Sequence, residues 1–473
     1  MQKIFTQRDQ ELFAKLSGDY NPMHLDALYA RRLLFGRQVV HGIHVLLWAF
    51  DVWLQGKGET VQLCNLKVDF TAPVALSETV VCSVLSDCCD EGVRIRLTVG
   101  GSRVAVIHAT YVSGPAAVDP VNKKLLLSTP QREECERVSV TALGDLSGSV
   151  ALYLDGEEVD RLFSFIPLYL SSEQVAVLLA TTRIVGMKCP GMNSVFSGLL
   201  LKFSRNHFTS PDLLFRVSDF DDRFFRMIVE VSGSGVVGKL SVFYRPDQKN
   251  QQSYAELSER VVCPDFSGQR ALVIGGSRGL GEVTAKLLAL GGADVRITYY
   301  RGAEDANRLV DEIKSGGGSV EALSLNVVAP KEDIASLIGD YWSPTHLYYF
   351  ATPFIFDGSR GKFSDTLFDT FCHYYVTGFL TTFQALKARG VAPRKVFYPS
   401  SVAVTEIPLD MGEYAAAKAA GESVCQFLDK TEKETDVLFV RLPRLDTDQT
   451  ASIVQVDNMD PVPVLLDIIC QLK

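Results

Sequence analysis

The spacing of apolar residues changes along the 473-residue chain, and each change marks a different kind of structure. In "QRDQELFAKLSGD", Leu12, Phe13 and Leu16 recur at helical spacing, and "GIHVLLWAFDVWL" is apolar over a second helical length. Four segments rich in Val and Ile follow: "VQLCNLKVDF", "TVVCSVLSD", "VRIRLTVG" and "RVAVIHATYV". Turn signals part them, and the pattern predicts strands. Helices followed by an antiparallel sheet make an α+β arrangement over residues 1–118. Residues 119–255 repeat the plan more weakly. A helical stretch is expected around "SSEQVAVLLATTRIVGMKCPGMNSVFSGLLLKF", with strands at "LLFRVSDF", "RFFRMIVEVSG" and "VVGKLSVFYRP". A repeat of this length points to duplication, with two half-units packed together. The polar stretch "PDQKNQQSYAELSERVVCPDFSGQ", 246–269, reads as a linker.

The pattern then becomes an alternation of strand and helix. "RALVIGG" is a buried-strand run, "GLGEVTAKLLALGG" a helix stopped by Gly, "DVRITYY" a second strand and "AEDANRLVDEIKSGGG" a second amphipathic helix. This is the βαβ pattern of an α/β doubly wound parallel sheet, assigned to residues 266–473.

Composition narrows the functional classes. A hydrophobic fraction of 47% with 22% charged residues is that of a globular protein with well-filled cores. The net charge of −9 argues against nucleic acid as a partner, because phosphate neutralisation needs a basic surface. "MQKIFTQRDQ" has no signal-peptide pattern, and apolar runs such as "VLLWAFDVWL" are too short for a membrane span. Ten cysteines without C-x-x-C pairs suggest reduced thiols in a cytoplasm and no metal centre.

Candidate chemistry lies at both ends of the chain. "GGSRGLG" sets Gly275, Gly279 and Gly281 at a strand-to-helix junction. Glycines there permit a tight turn and let backbone N–H groups approach a pyrophosphate. Tyr414 and Lys418 in "EYAAAKAAGE" share one helix face. An ammonium beside a phenol is expected to lower the phenol pKa, as suits a proton donor to a developing alkoxide. Ser401, in "KVFYPSSVAV", precedes them by thirteen residues.

Taken together, these segments resemble the short-chain dehydrogenase/reductase family, with a Rossmann fold. The resemblance implies that Ser401 holds a substrate carbonyl, that Tyr414 donates the proton, and that Lys418 binds the nicotinamide ribose and tunes Tyr414. It implies cofactor contacts at Gly275, Ser277, Arg278, Gly279, Leu280, Gly281, Arg301, Asn326, Val327 and Ala351, besides Tyr414 and Lys418. Strand two ends "TYYRGAED" without the acid expected for a free ribose 2′-hydroxyl; Arg278 and Arg301 favour NADPH over NADH. The chain departs from the family at Ile274, at "FATP" (Phe350 to Pro353) and at Tyr375, which stands where the family carries an Asn.

"SGDYNPMHLD", with "VVHGIH" and "LKVDFTAPVALSETV" after it, resembles MaoC-like (R)-specific enoyl-thioester hydratases of the hotdog fold. The resemblance implies that Asp19 and His24 are the acid–base pair and that Gly42 offers a backbone donor to the thioester oxygen. Asn21 is expected to shape the turn, while His41 and His44 are expected to pack beside the helix. The middle repeat lacks this motif. It is expected to complete an acyl tunnel within a double hotdog, a second site on Asn193, Ser194 or His207 being the alternative.

Reduction of a 3-oxoacyl thioester and dehydration of the resulting 3-hydroxyacyl thioester are consecutive reactions. The expected activity is therefore a bifunctional NADPH-dependent reductase and dehydratase of fatty-acid or polyketide-type biosynthesis. Its substrate would be tethered to acyl carrier protein or coenzyme A, with Arg31, Arg32 and Arg37 as candidate carrier contacts. Two alternatives remain: hydration and oxidation in the β-oxidation direction, or a reductase with a non-catalytic acyl-binding half. The resemblance also implies a homo-oligomer, dimer or tetramer.

Overall fold

A computed structural model describes residues 1–88, 92–114, 132–204, 211–329, 334, 342–453 and 456–473. The expected boundary at 118/119 and His207 lie outside the described residues. The chain forms two compact units, Met1–Asp247 with Ser452–Gln455, and Gln248–Ala451 with Val456–Lys473.

In the first unit the strands are β1 (Gln2–Ile4), β2 (Thr60–Phe70), β3 (Thr79–Cys88), β4 (Gly92–Val99), β5 (Ser102–Gly114), β6 (Ser147–Ala151), β7 (Ser194–Phe203), β8 (Asp212–Asp221), β9 (Arg226–Gly233) and β10 (Val236–Tyr244). They form one sheet of order β1-β3-β4-β5-β2-β7-β10-β9-β8-β6. Its centre is the antiparallel pair β2/β7, in which Asn65–Asp69 face Lys202–Gly198. Outward from that pair the order runs β2-β5-β4-β3-β1 on one side and β7-β10-β9-β8-β6 on the other. The second half thus repeats the first, so the two sequence segments share one sheet.

Each central strand is preceded by a buried helix. Helix α1 (Gln7–Ser17) follows β1, capped by Thr6, whose side chain and that of Asp9 form a reciprocal capping box. Helix α2 (Gly42–Leu54) precedes β2 and buries Ile43, Leu46, Leu47, Phe50 and Leu54, with Val45, Trp48 and Ala49 buried on its other faces. A helix apolar all round belongs in a core, and here the sheet supplies the cover. Helix α3 (Ser172–Arg183) takes the same place before β7. In β2 the buried positions are Val61 and Leu63, then Leu66 and Val68. A register shift between Leu63 and Asn65 resets the alternation, so both pairs face the core.

The single helical stretch expected at 171–203 is three elements. Helix α3 ends at Arg183, a π-helical segment Ile184–Lys188 follows, and the chain then turns into β7. Pro190 offers no N–H to continue a helix, and Gly191 sits at φ 72°. Beyond them the apolar run pairs with β10 on one side and β2 on the other, which satisfies its backbone.

The second unit is an all-parallel sheet of order β13-β12-β11-β14-β15-β16. Its strands are β11 (Arg270–Ile274), β12 (Asp294–Tyr299), β13 (Ser319–Ser324), β14 (His346–Tyr349), β15 (Lys395–Ser401) and β16 (Asp436–Leu442). Segment 246–269, expected as a linker, instead contains helix α4 (Tyr254–Arg260), capped by Ser253 with Glu256. Tyr254 and Leu257 bury into the second unit's core, which fixes this stretch to it.

Candidate active sites

In the first unit α1 stops at Gly18, whose φ of 73° turns the chain. Ser17 donates to the Phe13 carbonyl at 2.7 Å and accepts the Asp19 N–H at 3.2 Å, which places Asp19 on the inner side of the turn. Asn21 caps the short helix Pro22–Leu25 by accepting from the Met23 N–H. Its amide also donates to the carbonyls of Gly186 and Gly191, each at 3.1 Å. Asn21 therefore shapes the turn and ties it to the second half-unit. His24 follows one turn later, and its Nδ1 donates to the Val39 carbonyl at 2.7 Å. That bond leaves Nε2 as the nitrogen with a lone pair.

Asp19, His24 and Gly42 line one cavity of about 270 Å³, together with Thr182, Gly186 and Ser194 from the second half-unit. Apart from Thr71 and Ser197, its other walls are apolar, including Val45, Phe70, Val185, Phe196 and Phe243. Gly42 begins α2, in the turn whose backbone N–H groups lack intrahelical acceptors. The Phe70 ring lies where its side chain would grow, a Cβ there being 3.1 Å from Cζ. Burial raises the Asp19 carboxyl above its ordinary value; His24, the Thr182 hydroxyl and the Asn21 N–H act against it. Burial likewise lowers His24 below the usual imidazole value, opposed by Asp19. Both shifts favour the uncharged forms.

Sequence reasoning missed three members of this site. Thr182 donates its hydroxyl to Asp19 Oδ2 at 2.7 Å. Gly186 leaves room for that carboxylate, which a Cβ would strike. His41, expected only to pack, stacks on His24 with ring centroids 3.8 Å apart, and its Nε2 lies 4.0 Å from Asp19 Oδ2. Its Nδ1 bonds Gln10 Oε1 at 2.9 Å, and the same oxygen accepts the His41 N–H. The reason is local: His41 caps the N-terminus of α2, so its ring turns inward with Gly42. His44 does pack as expected, stacked on Phe13 at 4.5 Å. Asn193 donates to the Arg245 carbonyl and to Asp247, away from the cavity, whereas Ser194 lines it. Arg37 is bonded to Glu78 at 3.2 Å, and Arg31 and Arg32 are half-buried.

In the second unit the candidate residues gather at the C-terminal edge of the parallel sheet. The glycine turn follows β11, Arg301 follows β12, Asn326 and Val327 follow β13, Ala351 follows β14, and Ser401 ends β15. The strand order reverses between β11 and β14, where a crevice opens in such sheets. Gly275 has φ 74°, and a Cβ on it would stand 2.8 Å from the Ala351 N. Gly279 has φ 58° and opens helix α5 (Gly279–Leu290), while Gly281 packs on the Gly275 carbonyl. A side chain has no room at Gly275 or Gly281, so the turn fits a dinucleotide diphosphate against the helix N-terminus. Ser277 is buried, Leu280 packs against the core behind the turn, and Arg278 pairs with Asp448 at 2.6 Å. Arg301 is exposed, 5.5 Å over the Tyr300 ring.

Tyr414 and Lys418 stand one turn apart on helix α6 (Gly412–Thr431), with the Ser401 hydroxyl beside the Tyr414 phenol. The expected lowering of the phenol pKa is not what the structure gives. Burial pushes Tyr414 up to about 12, with the neighbouring Ser401 hydroxyl acting against it. Burial also pulls Lys418 down to about 7, despite Cys425 and Glu422. Lys418 Nζ turns instead to the Pro399 carbonyl, 2.6 Å away. Tyr414 is thus a protonated donor at neutral pH.

Residues 2–105 match the MaoC like domain family, and residues 269–457 match the short chain dehydrogenase family. The chain is 33% identical over 78 residues to a peroxisomal enoyl-CoA hydratase 2 of Arabidopsis thaliana, covering 16% of this chain and 25% of that protein. It is 39% identical over 73 residues to a 3-oxoacyl-[acyl-carrier-protein] reductase of Synechocystis, covering 15% of this chain and 29% of that protein. These matches span little more than a quarter of the curated relatives' own length. A crystal structure of a short chain dehydrogenase from Burkholderia cenocepacia in complex with NADP is 25% identical, covering 43% of this chain and 89% of that one at a TM-score of 0.38. The described residues contain no helix long and apolar enough to cross a membrane.

Proposed function

We propose that this chain, a MaoC-like domain followed by a short-chain dehydrogenase domain, reduces a 3-oxoacyl thioester with NADPH and then dehydrates the product. The observation that supports this reading is the presence on one chain of two clusters of acid–base side chains suited to consecutive reactions. One is the Asp19–His24 pair on an apolar cavity, and the other is Ser401, Tyr414 and Lys418 beside a glycine turn.

For the first reaction the nicotinamide cofactor, when bound, supplies the hydride to C3. Ser401 holds the ketone oxygen by a hydrogen bond. Tyr414 gives its phenolic proton to that oxygen as it becomes an alkoxide. Lys418 binds the ribose and supports renewal of the phenolic proton. Arg301, exposed and with no acid at the end of β12, favours a 2′-phosphate and hence NADPH, whereas Arg278 is already paired with Asp448.

For the second reaction His24 Nε2 takes the C2 proton, and the protonated Asp19 carboxyl gives its proton to the C3 hydroxyl, which leaves as water. The shifts of both groups toward their uncharged forms support this division of roles. The Gly42 N–H stabilises the thioester oxygen while it carries enolate charge. The second half-unit acts as a non-catalytic partner in a double hotdog. It contributes Thr182, Gly186 and an apolar wall to an acyl tunnel.

The thioester is carried by acyl carrier protein or coenzyme A, and the setting is fatty-acid or polyketide-type synthesis. Hydration followed by oxidation is the reverse flow, and the resemblance to a peroxisomal hydratase favours it as the second reading. Cofactor preference separates the two. Steady-state assays with NADPH and NADH on 3-oxobutyryl thioesters test the proposal: strong preference for NADPH supports it, and preference for the NAD couple in the oxidative direction contradicts it.

A further inference from the structure

Lys418 ends in a cage of three tyrosine rings. Its Nζ lies 4.0 Å from the Tyr375 ring centroid, 4.9 Å from that of Tyr398 and 5.9 Å from that of Tyr414. All four side chains are buried. Each ring is held in place. Tyr375 belongs to the π-helical segment His373–Gly378, and its ring stands edge-on to Tyr414 at 5.6 Å and 82°. Its hydroxyl is bonded to Thr352 Oγ1 at 2.5 Å. Tyr398 donates to the Tyr375 carbonyl at 3.1 Å, and its hydroxyl occupies the space a Cβ at Gly421 would need. Two departures in the sequence, Tyr375 and the "FATP" segment with Thr352, are therefore parts of one hydrogen-bonded unit beside Lys418.

We propose that Tyr375 is a positioning residue of the reductase site, whose ring face fixes the Lys418 ammonium and stabilises its charge. The inference rests on the reductase reading for its purpose, but not for its geometry. An ammonium removed from water loses hydration, and the negative face of an aromatic ring restores part of that loss. The other titratable groups facing Lys418 are Tyr398, Tyr414, Cys425 and Glu422. Glu422 is shared with Arg441 at 2.7 Å and Ser400 at 2.5 Å, so it does not serve Lys418 alone. The Tyr375 ring is the nearest of the three aromatic faces.

The test uses the full chain in three forms besides wild type: Tyr375→Phe, the same variant with the ring fluorinated, and Tyr375→Leu. Fluorination keeps the shape but removes the negative face, so a folded protein is available even if the Leu variant unfolds. Competitive acetylation of Lys418 across pH, read by mass spectrometry, gives its midpoint whether or not the protein turns over. The Phe variant is expected to keep the wild-type midpoint. The fluorinated and Leu variants are expected to lower it by about one pH unit, with kcat for NADPH-dependent reduction falling about tenfold at neutral pH and recovering at lower pH. Equal midpoints in all four proteins, or lost activity at an unchanged midpoint, overturn the inference. A shifted midpoint in a chain that reduces no 3-oxoacyl thioester, wild type included, instead overturns the reductase reading and leaves the positioning role standing.

Discussion

The Thr182 hydroxyl donates to Asp19 Oδ2 at 2.7 Å, so a residue of the second half-unit holds the candidate acid of the first. A segment without that motif of its own thereby becomes part of the candidate site. Thr182→Val removes a hydrogen bond to a buried carboxyl and should reduce crotonyl-thioester hydration about 10- to 100-fold. Thr182→Ser should restore most of it. Initial rates with both variants check this, and an unchanged rate in the Val variant would leave Thr182 without a role.

Gly186 makes a sharper demand on the same carboxylate. A Cβ there collides with both Asp19 oxygens, so Gly186→Ala must displace the side chain or the π-helical segment. Displacing a reacting group by about 1 Å costs on the order of 100-fold in rate. Hydration should fall by that much, while NADPH-dependent reduction by the second unit should stay at the wild-type rate.

The two reactions should be separable by single substitutions. Tyr414→Phe removes the proton donor and should lower NADPH oxidation by about 100-fold or more, with hydration unaffected. Asp19→Asn should do the reverse. Parallel assays of both activities on each variant decide this.

Acid should destabilise the first unit. Burial lowers His24, His41 and His44 below the ordinary imidazole value, Lys3 adding to the effect on His44. Each binds a proton more readily once unfolded. Their contribution is full above the unfolded value of about 6.5 and is lost as pH falls below it, by up to about 1.4 kcal/mol per pH unit for each group. Asp19 acts in the opposite sense: its raised value withdraws stability as pH climbs above the unfolded value of about 3.9. Fluorescence of Trp48 and Trp53 reports this unit, and its Tm should fall between pH 7 and pH 5. His44→Phe should flatten that dependence; an equal slope in the variant would contradict the assignment.

What the sequence made legible was local. The glycine turn at 275–281 and the Asp19-to-His24 turn each depend on a few neighbouring residues, and both stand where their spacing predicted a turn. The helix–strand alternation after residue 270 was equally plain, because parallel strands are continuous apolar runs. Thr182 and Gly186 were not legible, since they reach Asp19 from more than 160 residues away with no motif of their own. In the 171–203 stretch, one apolar run suited a helix or a strand, and the Pro190–Gly191 break was the available signal. For α4 the signal was Ser253 with Glu256, the spacing of a capping box inside a polar segment. The ionisation of Tyr414 was misjudged for a different reason. Spacing gives a neighbour, but desolvation depends on everything packed around both groups.

On the proposed function, one chain carries out reduction and then dehydration. Incubating the purified protein with NADPH and acetoacetyl thioester, on coenzyme A and on acyl carrier protein, tests it most directly, with products identified by mass. 3-Hydroxybutyryl thioester is expected first and crotonyl thioester after it, with Asp19→Asn stopping at the hydroxy product. Absence of NADPH oxidation on either carrier, or a crotonyl yield that Asp19→Asn leaves unchanged, would contradict it.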